Sequence, residues 1–231
     1  MSRFRALVGI DLRELWISFR LLPVLGGLLL SGLLPAMLAS WVAPLVTYSV
    51  AVAVAVALIS AIAGFSLAAE RCRGRAAWFA VRAVPRGALV LAWLASTAWL
   101  LLVGILVSAL VAWLSLFGDS ASGELGVPFG LALVAVGAAG LATLSGALLI
   151  GALLTPRLAA TFSLLLSGGV LLAGVVPIGA AWLPSGGIGL LAQFPTVARP
   201  LASAAQSAGV ALVAAAVLLT AALAVLQRAD L

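Results

Sequence analysis

Long intervals without a charged side chain constrain this protein more than any other feature of its sequence. No charged residue lies between Arg20 and Glu70, between Arg86 and Asp119, or between Glu124 and Arg157. None lies between Arg157 and Arg199, or between Arg199 and Arg228. Of 231 residues, 65% are hydrophobic and 8% charged, whereas a soluble domain carries about 25% charged residues. Such a chain folds in a bilayer.

A membrane-crossing helix needs roughly 20 apolar residues to cover a hydrocarbon core of about 30 Å. Six segments meet that requirement: 21–41, 45–68, 88–117, 128–154, 158–182 and 206–226. Lipid offers no hydrogen-bond partners, so each segment must satisfy its own backbone as a helix. The expected fold is all-α, with six transmembrane helices forming one transmembrane domain over residues 1–231. The third segment is long enough to tilt or to project from the membrane.

Arginine sets the expected orientation. The chain has no lysine or histidine, and all twelve basic residues are arginines. Arg3, Arg5, Arg13 and Arg20 precede the first span, and Arg71, Arg73, Arg75, Arg82 and Arg86 fall in the 69–87 segment. Arg157 lies in the turn before the fifth span and Arg228 in the tail. The 118–127 loop has only acids, Asp119 and Glu124, and the 183–205 loop has Arg199 alone. Alternating sides leaves eleven arginines on one face and one on the other. The rich face is predicted to be cytoplasmic, with both termini inside. Trp41, Trp113 and Trp182 then fall near the outer ends, where interfacial aromatics belong. The net charge of +6 is therefore a topological signal, and nucleic acid is not an expected partner.

Residues 1–20 place Phe4, Leu7, Val8, Leu12, Leu15, Trp16 and Phe19 at helical spacing, with Arg3, Asp11, Arg13, Glu14 and Arg20 on a more polar side. An amphipathic helix lying on the inner leaflet fits this pattern. A cleaved signal peptide is the alternative, though its charged region is normally shorter.

Catalytic chemistry has few candidates. Without His or Lys there is no imidazole base, Schiff-base lysine or His-ligated metal. The lone Cys72 excludes an internal disulfide and any multi-cysteine metal site. Asp11, Glu14, Glu70, Asp119, Glu124 and Asp230 are scattered, and none falls at the expected midplane, where ion and proton sites keep their carboxylates. Ser96, Thr97, Thr143 and Ser145 lie within spans, where hydroxyls usually bond their own backbone or a neighbouring helix. A lysine-free chain also lacks the phosphate-binding G-x-x-x-x-G-K-[ST] loop. The expectation is no enzyme, no metal and no cofactor on this chain. Glycines pair at Gly26–Gly27, Gly137–Gly140 and Gly168–Gly169, for packing within the chain or for a dimer seam along the first or fifth span.

The 69–87 segment reads AERCRGRAAWFAVRAVPRG. On a helix, Arg71, Arg75, Trp78 and Arg82 share a face. Pro85 ends that helix or begins the next. Arginines around a large aromatic make a docking knob for a soluble partner. The same residues also serve as topogenic charge touching lipid headgroups, and the residues alone leave both readings open.

This arrangement resembles the ABC-2 family of ATP-binding-cassette permeases. Glu70, Gly74, Trp78, Phe79, Pro85 and Arg86 occupy places similar to those of the family's basic loop between spans two and three. WFAVRAVP, from Trp78 to Pro85, matches a W-x-x-x-R-x-x-P pattern found in some members. The loop PSGGIGLLAQFPTVARP before the last span, and the closing QRADL, are also similar. The interval from Gly74 to Pro85 is longer than usual in the family, and no lysine follows Pro85.

The resemblance implies a bacterial inner-membrane export permease built as a dimer of identical or related subunits. A separate ABC ATPase subunit would bind ATP and Mg²⁺. The 69–87 segment would be its coupling helix, carried by Glu70, Arg71, Gly74, Arg75, Trp78, Phe79, Arg82, Pro85 and Arg86. The 183–205 loop would be extracytoplasmic, with a re-entrant path as the alternative. The cargo would be hydrophobic or amphipathic: a lipid, glycolipid, drug or peptide. A haem-exporter subunit has a similar length. The competing classes are a membrane anchor or assembly factor that docks a cytoplasmic partner, and a channel or lipid-active enzyme.

Overall fold

The computed structural model describes residues 8, 9, 13, 26, 27, 30, 32, 33 and 37, together with 44–72, 86–117, 123–175, 183–194 and 200–228. Six helices carry the architecture: α1 (Pro44–Cys72), α2 (Arg86–Phe117), α3 (Gly123–Leu153), α4 (Pro156–Ala173), α5 (Gly186–Ala192) and α6 (Pro200–Arg228). No strand occurs among the described residues. All of these helices except α5 are long and apolar enough to cross a membrane. The protein is an all-α, multi-pass membrane protein. The interfacial helix expected over 1–20 and the span expected over 21–41 lie mostly outside the described residues.

Proline marks where helices begin. Pro44, Pro156 and Pro200 each occupy the first helical position, where the missing N–H would have had no intrahelical partner anyway. Thr155 before Pro156 is extended, at φ −71° and ψ 159°, because the proline ring crowds a helical residue ahead of it. Hydropathy placed the last span at 206–226, but the helix starts six residues earlier, at Pro200. α3 likewise begins at Gly123 and carries Pro128 inside its second turn. α1 continues to Cys72, so Glu70 and Arg71 are helical.

α4 is shorter than the 158–182 segment read from hydropathy. Its 18 residues rise about 27 Å, just under the thickness of the hydrocarbon core. The amides of Gly174 and Val175 bond Leu171 O and Leu172 O at 3.1 and 3.0 Å, tightening the last turn. A Cβ on Gly174 would collide with Ser185 O, so the chain leading into α5 abuts the end of α4.

α3 is the central helix. It packs against each of the other five, most extensively against α6, while α1 and α4 form the next largest contact. Its composition explains the position. Ala132, Ala135, Ala138, Ala139 and Ala142 are all buried, so small residues cover several faces. Lipid is as apolar as the side chains, and helices associate there by close packing rather than by escape from water.

A close crossing joins α1, α3 and α4. A Cβ on Gly151 would lie 2.6 Å from Gly64 O, and one on Gly64 would lie 2.5 Å from Ser163 Oγ and 3.0 Å from Ala147 O. One turn away, Ser60 donates to Thr143 Oγ1 at 3.2 Å, and Thr143 donates to Gly140 O at 2.9 Å. Such an interhelical bond contributes about 0.6 kcal/mol in a membrane. The other hydroxyls named from the sequence bond their own helices. Ser96 and Thr97 donate to Trp93 O at 3.1 and 2.6 Å, and Ser145 donates to Leu141 O at 2.9 Å. Gly137 and Gly140 accommodate Leu102 and Leu101 of α2, while Gly26, Gly27 and Gly169 face open space.

Candidate functional site

The two ends of the bundle differ in chemistry. At one end Tyr48 stacks on Phe129 at 6.5 Å, Trp113 lies 5.2 Å from Phe129, and Phe194 meets Phe129 edge-on at 5.7 Å. These rings join the start of α1, the end of α2, the start of α3 and the segment after α5. Ser108 donates to Tyr48 Oη at 3.4 Å. A Tyr hydroxyl buried in such a cluster needs this kind of partner.

At the opposite end, Leu67, Val90, Leu148, Ala152 and Leu226 form one buried cluster, with Trp93, Leu219 and Leu223 packed against it. They come from the end of α1, the start of α2, the end of α3 and the end of α6. The arginines of the described helices, Arg71, Arg86, Arg157 and Arg228, all belong to this end by their positions in the chain. Four helix ends are thus locked into one apolar unit.

The predicted coupling residues divide sharply. Glu70 and Arg71 form the last turn of α1, and Arg86 opens α2. Gly74, Arg75, Trp78, Phe79, Arg82 and Pro85 lie outside the described residues. The described chain breaks off at Cys72 and resumes at Arg86, at the two helix ends that contribute Leu67 and Val90 to the four-helix cluster. Arg71 does more than add charge. Its Nη2 donates to Leu154 O at 3.2 Å, at the turn between α3 and α4. The carbonyls at the end of a helix lack partners and carry partial negative charge, so a guanidinium is well matched to that place. This single bond ties the beginning of the arginine-rich segment to two further helices.

Sequence reasoning missed two features. One is the Arg71 bond, which no local pattern signals because Leu154 is remote in the chain. The other is the helical form and depth of α5, all but its last residue buried, within the 183–205 segment read as an extracytoplasmic loop with a re-entrant path as an alternative. A Cβ on Gly187 would overlap the backbone of Ala135 and Val136, at 2.5 Å from Ala135 O and from Val136 N. The helix therefore lies directly on α3, and it also contacts α1 and α6. A short apolar run, SGGIGLLA, between Pro184 and Pro195 was its only advance sign. No protein-family model matches the chain, and no curated protein or solved structure is significantly similar to it.

Proposed function

We infer that the chain is the membrane-spanning permease subunit of an ABC-2 type transporter, exporting a hydrophobic or amphipathic substrate with energy from a separate ATPase. The supporting observation is mechanical. The segment bearing Trp78 and its arginines connects the end of α1 to the start of α2, and those two ends belong to a cluster in which Leu67, Val90, Leu148 and Leu226 hold four helix ends together. A push on that segment would reach α1 and α2 through the chain, and α3 and α4 through Arg71 and Leu154 O. In this reading residues 21–41 supply a sixth span. Gly32 within it packs against α2, where a Cβ would come 2.6 Å from Ser108 O. The buried α5 is then a re-entrant element from the outer side, and the arginine-bearing end faces the cytoplasm of a bacterium. Two such subunits would form the pathway.

Orientation is tested by single-cysteine labelling on a Cys72→Ser background. Position 121 is expected to react with a membrane-impermeant maleimide from outside, and position 75 only after permeabilisation. Outside labelling at position 75 would overturn the orientation and, with it, the coupling role.

The division of labour is tested by purification. The isolated chain is expected neither to bind nor to hydrolyse ATP, since it lacks the lysine of a phosphate loop. Captured from its native membrane, it is expected to bring a subunit that hydrolyses ATP and that drives substrate movement in proteoliposomes. Nucleotide binding by the chain alone contradicts the proposal. A captured partner without ATPase activity identifies a membrane anchor instead.

A further inference from the structure

α4 and α6 both pack on α3 but not substantially on one another. Between them lies a slot of about 120 Å³, floored by Ala142, Gly146 and Ile150 of α3 and walled by Leu166, Val170 and Leu218. Leu166 and Leu218 stand about 15 Å along their helices from Arg157 and Arg228, roughly half of a 30 Å hydrocarbon core. The slot is therefore at mid-bilayer depth. It opens sideways, since Leu166 at its rim is 57% exposed.

We propose that this slot holds one acyl chain of a bilayer phospholipid. Water finds too few partners there. Of the two hydroxyls in the lining, Thr143 already accepts from Ser60 and donates to Gly140 O, which leaves the largely buried Ser167. An ordered water needs about two to four polar partners. An empty slot would forfeit dispersion contacts on every wall. The space is of the same order as the roughly 150 Å³ apolar cavity that takes up benzene in an engineered protein, so a stretch of methylenes fits. A helix does not fit. Its diameter is about 10 Å, and the floor residues Ala142 and Ala147 are already covered to 3% and 1% exposure by the flanking helices. Residue 32 of the chain's own first apolar segment sits on α2, against Ser108 and Val111. The inference requires only that the protein spans a membrane, and it stands apart from the transporter reading.

The test counts phospholipid retained by the full chain after transfer from dioleoyl phosphatidylcholine nanodiscs into detergent, by native mass spectrometry. Gly146→Leu fills the slot from its floor, where an added Cβ meets only Leu218 Cδ1 at 3.6 Å. Ala214→Leu fills it from α6. Leu106→Ala alters a residue 62% exposed on α2 and serves as the control. The wild type and the control are expected to keep a single phospholipid that both slot variants lose, with helical circular dichroism unchanged. If Gly146→Leu fails to fold, Ala214→Leu decides the comparison from the other wall. Equal retention in the wild type and a folded slot variant overturns the proposal, as does a wild type that retains none. Dissociation of an oligomer by either variant identifies a second copy of the chain as the occupant and also overturns it.

Discussion

Trp78→Ala is expected, if the chain is the permease subunit proposed above, to weaken ATPase attachment about 30-fold while leaving the chain inserted and folded. That figure corresponds to about 2 kcal/mol for truncating an aromatic anchor at the centre of a small interface. The arginines nearby would have a different role in that reading. Arg75, Arg82 and Arg86 would mainly set the rate of docking and its sensitivity to salt. Arg71 stands apart from them. By sequence it is one more rim charge, but its bond to Leu154 O makes it part of the frame. Arg71→Ala is therefore expected to loosen the turn between α3 and α4, by about 1.5 kcal/mol, rather than to alter docking alone. Co-purification of the ATPase, together with coupling of hydrolysis to transport, separates these cases. If the segment serves only topology and headgroup contact, Trp78→Ala is silent, and removal of several arginines together scrambles the spans. An intact, coupled complex with Trp78→Ala would remove the coupling assignment.

Gly187→Leu is expected to expel α5 from the bundle and to shorten sharply the time the protein remains monodisperse in detergent. The added Cβ would overlap main-chain atoms of Ala135 and Val136, and no rotamer change relieves a clash at Cβ itself. Overpacking of a well-filled core costs about 1–3 kcal/mol. A collision with backbone belongs at the upper end, because α3 is held by five other helices. Gly169→Ala is the matched comparison. Nothing lies within 4 Å of a Cβ built there, and alanine is the better helix former by about 1 kcal/mol. That variant is expected to be neutral or slightly stabilised. A Gly187→Leu protein with wild-type thermal stability would show that α5 does not pack on α3 as described.

The class of this protein is legible from its sequence alone. Charge-free intervals long enough to span a bilayer dictate helices, because a lipid-exposed backbone has only itself to bond. Four of the segments read from hydropathy contain the cores of α1, α2, α3 and α6. Segment 158–182 contains most of α4, and segment 21–41 falls largely outside the described residues. Helix ends were less legible, since hydropathy registers the membrane-crossing core and not the proline that opens a helix beyond it, as at Pro200. The fate of the intramembrane hydroxyls was foreseeable for Ser96, Thr97 and Ser145, which bond within their own turns. Tertiary structure decided the rest. The bond from Ser60 to Thr143, the crossing of Gly64 and Gly151, the seat of Gly187 on Ala135 and the tie from Arg71 to Leu154 O all join residues remote in sequence. In a uniformly apolar chain, every face of a helix has nearly the same affinity for lipid. Hydropathy therefore cannot choose partners, and the choice falls to shape, through the places where a missing side chain lets two backbones meet.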